Sequence, residues 1–271
     1  MRQYDYKKDF PGVDIAKLIC ALLIVFTHTY CFDCGEIGKW IQSNLSTVGV
    51  PFFFIASGYF YAKGLCSASD KKTYFVRYFL RLGKMYVFWS IITLPVDLLT
   101  TQIAHPDWPL WMLFLSLPRG FFLVGSCGVY WYILSLLCNS IILYLANRYR
   151  KETLVYLIGF VGFFIGVLYS SGMLNDTILH TVIHVLFSSE RNFLNVGLFY
   201  MSIGYAMKNV SFPQKWGWAI LIIVGSVICG TLVEKFTTLR FMHAFSAIGL
   251  FVLSMSVPVK MNVKKHSSLE N

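Results

Sequence analysis

The stretch Val13-Asp14-Ile15-Ala16-Lys17-Leu18-Ile19-Cys20-Ala21-Leu22-Leu23-Ile24-Val25-Phe26-Thr27-His28 decides how the rest of the chain is read. It is an apolar run close to the roughly 20 residues that cross a bilayer. Yet it carries Asp14, Lys17 and His28, and ionisable groups in hydrocarbon are costly enough to be functional hypotheses by default. At about 100° per residue, the step from Lys17 to His28 is about three turns plus 20°. The two therefore share a helix face about 16 Å apart along the axis, and Asp14 lies on the same face. Two charged residues and the lack of a small-residue cleavage site after the run make it a retained helix and not a cleaved signal peptide.

Similar runs recur along the chain. Of 271 residues, 56% are hydrophobic, 17% aromatic and only 13% charged, which excludes an ordinary soluble core. The expected fold class is all-α, a polytopic integral membrane helical bundle of about eight transmembrane helices, over 13–31, 46–62, 85–104, 128–146, 154–171, 193–207, 216–233 and 241–258. Segment 106–125 is apolar but broken by Pro106, Pro109 and Pro118, and reads as an interfacial or re-entrant stretch. These assignments make residues 1–258 a single transmembrane domain and 259–271 a short basic tail.

The net charge of +10 is unevenly placed. With these spans, 17 of the 23 Lys and Arg residues fall on one side, including Lys63, Lys71, Lys72, Arg77, Arg81 and Lys84. The other side holds five, Lys39, Arg119, Arg191, Lys235 and Arg240, and Lys17 sits in the first helix. The positive-inside rule makes the basic side cytoplasmic and puts both termini there. The charge thus reports topology, and no nucleic-acid partner is expected from it.

Several residues admit two readings. Lys17 either snorkels to the headgroups beside Asp14 or meets a ligand. His28 is either an interfacial histidine bonded to a loop or the proton carrier of a reaction near neutral pH. Arg77, Arg81 and Lys84 share one face of an amphipathic helix, which suits anionic lipid or, through arginine forks, a phosphate group. Ser57 suits a helix-helix hydrogen bond or a ligand contact. Tyr130 and Trp131 fit an aromatic belt. His180 and His184 are read as loop residues. Cys31 and Cys34 form a C-x-x-C that fits a disulfide or half a metal site, but no second pair follows at zinc spacing, so no metal is expected and the scattered cysteines read first as packing residues.

Asp14-x-x-Lys17 with His28 beyond, Phe52-Phe-Phe-Ile-Ala-Ser57-Gly58-Tyr59, Arg77-Tyr-Phe-Leu-Arg81, Tyr130-Trp131-Tyr132, and Arg191-Asn192 followed by Gly204-Tyr205 come in the order of a known set. Together they resemble membrane-bound acyltransferase family 3, the integral-membrane O-acyltransferases of bacterial surface sugars. The resemblance implies transfer of an acyl group, usually acetyl and not aminoacyl, from cytoplasmic acyl-CoA. The acceptor would be a hydroxyl of an extracytoplasmic glycan or peptidoglycan sugar. It implies a multi-pass protein of the bacterial inner membrane, with acetyl-CoA as co-substrate and no permanently bound cofactor. Arg77 and Arg81 would hold the coenzyme phosphates, and Lys17 would lie along the pantetheine path or steady a charge there. His28 would be the general base or a transient acyl carrier, with Asp14, Ser57, Tyr130, Trp131 and Arg191 supporting site or substrate.

The opening is also similar to the membrane half of membrane-bound serine racemases, which suggests a non-catalytic module that binds or takes up a small substrate such as an amino acid. The family's last two helices have no counterpart here, and an inactive truncated member, a shortened subfamily and a partial chain all fit that pattern.

Overall fold

The computed structural model describes residues 10–28, 35–212, 217–233 and 241–257. Among them every regular element is helical. In chain order these are α1 (Pro11–His28), α2 (Gly35–Asn44), α3 (Gly49–Ser67), α4 (Lys71–Ala104), α5 (Leu110–Arg119), α6 (Trp131–Tyr149), α7 (Glu152–Ser170), α8 (Ile178–Phe187), α9 (Leu198–Ala206), α10 (Gly217–Val233) and α11 (Phe241–Ser256). Two π-helical turns, Gly120–Val124 and Phe193–Gly197, follow α5 and precede α9. Cys31, Cys34 and the tail 259–271 lie outside the described residues.

The distribution of polarity is that of a bilayer protein. Ser135, Asn139 and Ser140 of α6 are buried, whereas Leu18, Leu22 and Val25 of α1 and Phe88, Ile91 and Leu99 of α4 face outward. Such an apolar exterior finds its solvent in lipid tails, and helices satisfy their own backbone there. By length and composition α1, α4 and α7 are long and apolar enough to cross a membrane, and four shorter apolar helical segments accompany them: Leu110–Val124, Ile178–Phe187, Gly217–Thr231 and Phe241–Ser256.

The core forms around α3, whose largest contact is with α9. A Cβ on Gly58 would collide with the Met201 carbonyl, and one on Gly204 with the Ile55 carbonyl. The two glycines therefore let the backbones touch, the usual basis of helix association where lipid removes any hydrophobic drive. Buried Phe52, Phe54, Tyr61, Tyr200 and Tyr205 fill the flanks of this seam. Helix α11 leans on α3, α1 on α11 and α3, and α7 on the far side of α9.

At the chain's basic end, Glu152 ties three elements together. Its carboxylate accepts from Asn147 Nδ2 at 2.9 Å, Tyr205 Oη at 3.1 Å and Lys208 Nζ at 3.0 Å.

The structure redraws several of the sequence-based assignments. The basic amphipathic segment and the expected span 85–104 form one continuous helix, α4, of 34 residues. At ~1.5 Å per residue that is about 51 Å, well beyond a hydrocarbon core of about 30 Å, so the Arg77 and Arg81 turns extend past the apolar part. Asp70 caps it, accepting from the Lys72 amide at 2.9 Å and from the Thr73 hydroxyl. His180 and His184 lie on α8 and not in a loop, with their rings parallel and 6.2 Å apart. Helix α2 was not foreseen, because its ten residues hold no long apolar run; Ile37, Trp40 and Ile41 at i, i+3 and i+4 are the amphipathic signal that marks it. Segment 106–125 resolves into α5 and a π turn; Pro106 and Pro109 precede α5, but Pro118, expected to break the segment, lies within the helix.

Two outcomes follow from this packing. Gly58→Val drives a branched side chain into the α9 backbone and costs about 1–3 kcal/mol or more, read as loss of the monodisperse peak in detergent size-exclusion chromatography. The Thr73 hydroxyl, with the Thr73 and Lys72 amides, holds the Asp70 carboxyl below its ordinary value of 3.8. Its capping therefore stabilises α4 above that pH and is lost as pH falls through the lowered value. Protection of the first-turn amides of α4, taken as exchange relative to the intrinsic rate at each pH, should fall in that window and stay level there in Asp70→Asn.

Candidate functional site

A cavity of about 530 Å³ opens at the end of the bundle opposite Glu152. Its wall is assembled from six parts of the chain. The last turn of α1 contributes Ile24, Thr27 and His28, and Thr47, Val50 and Pro51 come from the approach to α3 and its first turn. Trp131 opens α6 beside Val124 and Gly128, and Ser188 to Arg191 form a polar lip. Val196 and Tyr200 close the α9 side, and His243 the α11 side.

Local sequence explains how these residues arrive. Gly125 adopts φ 92°, and a Cβ there would strike the Trp131 backbone, so the chain turns back tightly and delivers Trp131 to the cavity. Tyr86 of α4 pins that turn by donating to the Phe121 carbonyl. The second π turn is capped by buried Asn192, whose Oδ1 accepts from the amides of Leu194 at 3.0 Å and Asn195 at 2.9 Å. Both π turns carry a cavity residue, Val124 in the first and Val196 in the second. Such turns are uncommon and recur at functional sites.

Arg119 joins two sides of the opening. Its Nε donates to the Val185 carbonyl at 2.7 Å, and its Nη2 to the His184 carbonyl at 3.0 Å and Ser188 Oγ at 2.7 Å. A cation bonded to the last carbonyls of α8 also complements that helix's negative end. The lip is thereby anchored beside Glu190, which is buried, and Arg191, which is exposed, with Nε and Oε1 3.9 Å apart.

Of the residues singled out from sequence, the cavity gathers His28, Trp131 and Arg191. Tyr130 is the half-buried residue that precedes α6. Ser57 lies below the cavity, its Oγ 3.1 Å from Tyr132 Oη, and ties α3 to α6. Lys17 is 3.2 Å from Asp14, with side chains 40% and 63% exposed, and its ammonium lies 5.3 Å from the Phe60 ring centroid. Arg77 and Arg81 are exposed on α4, and the Arg81 guanidinium is 5.7 Å from the Tyr78 ring centroid. The stripe on α1 is thus divided: its His28 end lines the cavity, while its Lys17 end packs near Phe60.

Sequence reasoning missed His243, Thr47 and Tyr200; Glu190 was noted beside Arg191 without a role. His243 was findable, because it is an ionisable residue in the apolar run Phe241-Met-His243-Ala-Phe-Ser246, the rule that flagged His28. Thr47 and Tyr200 have no such signal; only folding puts them beside it. Among the described residues no group of three or more His, Cys, Asp or Glu side chains is placed to hold a metal ion.

The polar contact of Ser57 joins α3 to α6. Ser57→Ala removes the partner of the Tyr132 hydroxyl and costs about 0.6–1 kcal/mol, measured as a small drop in thermal midpoint in detergent, with the cavity intact.

Comparison with known proteins places these features in a family. A family model described as an acyltransferase domain matches residues 10–266. Two Enterococcus faecalis proteins, each named amino-acid racemase, are similar. One is 26% identical over 210 residues, covering 74% of this chain and 28% of the racemase. The other is 25% identical over 162 residues, covering 56% of this chain and 22% of the racemase. The chain therefore spans under a third of the length of these relatives. No solved structure matches it.

Proposed function

Because the chain belongs to membrane-bound acyltransferase family 3, we propose that it moves an acyl group, acetyl in the simplest case, from acyl-CoA to a hydroxyl of a cell-surface glycan or peptidoglycan sugar. The observation that carries this reading is the location of His28, exposed in a cavity it shares with Trp131 and Arg191. An aromatic face, a guanidinium and an imidazole are the groups a sugar acceptor needs for stacking, hydrogen bonding and proton removal.

In the proposed reaction the acceptor hydroxyl gives its proton to His28 as its oxygen attacks the thioester carbonyl carbon. The C–S bond then breaks, and the coenzyme leaves as thiol or thiolate. Arg77 and Arg81, on the helix turns that extend beyond the apolar length of α4, would hold the coenzyme phosphates. Lys17 would lie along the donor's path and Asp14 would hold its ammonium, as the 3.2 Å pair supports. On this reading the cavity faces the outside of a bacterial inner membrane and both termini face the cytoplasm, as the charge asymmetry favours.

The test is transfer from acetyl-CoA to chitooligosaccharide by the purified chain in nanodiscs. His28→Ala should lower kcat by about 10²–10⁴-fold with folding intact. Arg77→Ala with Arg81→Ala should instead raise the KM for acetyl-CoA and weaken its dependence on salt. Full transfer by His28→Ala would overturn the mechanism.

A second reading is supported by the racemase names of the relatives and by the adjacent charges of Glu190 and Arg191, which match the two ends of a zwitterion. It makes the chain a module that binds or takes up an amino acid. Amino-acid uptake that survives His28→Ala but is lost in Arg191→Ala, without any acyl transfer, would favour it.

A further inference from the structure

The polar stripe of α8 is built around two histidines. Thr177, His180, Thr181 and His184 recur at i, i+3, i+4 and i+7 and so share one face of the helix. Ile183 and Phe187 turn into the bundle, while Ile178, Val182 and Val185 face outward. Both threonine hydroxyls are taken by backbone. Thr177 Oγ1 donates to the Leu174 carbonyl at 2.6 Å and accepts from the His180 amide at 3.1 Å, and Thr181 Oγ1 donates to the Thr177 carbonyl at 3.3 Å. The imidazoles are the groups on this face with nitrogens to spare. Among the described residues the His180 ring makes no hydrogen bond, and the His184 ring makes one, at Nδ1.

Tyr169 of α7 sets both rings. It stacks on His180 with centroids 4.8 Å apart and planes 13° apart, and its hydroxyl is 3.5 Å from His184 Nδ1. The two imidazole planes are 1° apart, with centroids 6.2 Å apart. With the His184 Nδ1–H donating to Tyr169 Oη, the ring's lone pair lies on Nε2, the arrangement by which an outer partner orients a metal-binding histidine. Two histidines four apart on one helix face are a recurrent half of zinc sites, and imidazole suits Zn²⁺, Cu²⁺ and Ni²⁺ alike. In a loop the same spacing would fix nothing; helix α8 turns it into a geometry.

We propose that His180 and His184 form a two-imidazole site for a divalent d-block cation such as Zn²⁺, and that the bound ion braces α8. The exposed His184 ring swings toward His180 to close the pair, and water fills the remaining positions around the ion. Charges of both signs stand nearby. Glu190 is close enough for its charge to act on the Tyr169 hydroxyl, and the Arg119 guanidinium is held at the His184 backbone carbonyl. A helix of ten residues is marginal by itself, so a link across one of its turns is felt at its end. There Arg119 joins the His184 and Val185 carbonyls to Ser188 of the cavity lip. The site rests on α7 and α8 and does not depend on the acyl-transfer reading.

The test is binding of Zn²⁺ alone to the full chain, free of any polyhistidine tag, in nanodiscs of zwitterionic phosphatidylcholine. Calorimetric titration should show a site whose affinity falls by about 10²-fold in His180→Gln and in His184→Gln, because closing a chelate is an intramolecular step. His184→Gln combined with Val185→His keeps the number of imidazoles but turns one by about 100°, and should not restore binding. His28→Ala should leave the site unchanged. Cu²⁺ in place of Zn²⁺ should show two imidazole nitrogens in its paramagnetic resonance spectrum, and one in either single variant.

The bracing is read separately. At free Zn²⁺ about 100 times its Kd, hydrogen exchange at the α8 amides should slow by up to about 100-fold in the native chain and not in His184→Gln. Native affinity in both glutamine variants, recovery through Val185→His, a single-nitrogen Cu²⁺ signal in the native chain, or no Zn²⁺ binding overturns the site. Binding as expected with unchanged exchange in α8 overturns the bracing.

Discussion

Where Gly58 of α3 meets the backbone of α9, and Gly204 of α9 meets that of α3, no side chain separates the helices. In lipid the apolar surface of a helix gains little by leaving its surroundings, so association depends on how closely two backbones fit. That fit sets the depth of α3, and α11 and α1 take their positions from α3. The Thr47–Pro51 segment at one end of α3 and Tyr200 on α9 are consequently fixed relative to each other, and both line the cavity. A change at the seam would reach the cavity without touching any of its polar groups.

The two π turns act in the same way at smaller scale. Each adds a residue to a helical turn, and each carries a cavity residue. Gly125 and Asn192 make these turns possible, one by a backbone conformation that a Cβ would oppose and the other by accepting two amide hydrogens. The Arg191-Asn192 pair thus has two jobs: the asparagine shapes the backbone and the arginine faces the chamber. Ser57-Gly58 divides likewise, with Ser57 bonded to Tyr132 and Gly58 at the seam.

Membrane character and helical class were legible because bilayer thickness sets a length for apolar runs, and charge counting reads the loops between them. Helix boundaries were less so. Nothing in the residues around Lys84 says whether an amphipathic surface helix stops before a span or continues into it, and α4 continues. Helix α8 was hidden because its ten residues are too few to announce a span, and its histidines suggested a loop. The family was legible from five short blocks in order, and the match over 10–266 agrees with them.

The sequence by itself determined that this is a helical membrane protein of an acyltransferase family, with His28 placed where an ionisable group demands a reason. Apolar run length, charge placement and motif order are local properties, and local properties survive in a linear string. Only the tertiary structure decided who stands beside His28. It brought Trp131, Arg191 and His243 to that chamber from distant parts of the chain and left Lys17 beside Phe60. The reason is that a cavity is a relation among helix ends, set by the contacts of Gly58 and Gly204 across different helices. The spacing of residues along one helix cannot encode how far that helix sinks against another.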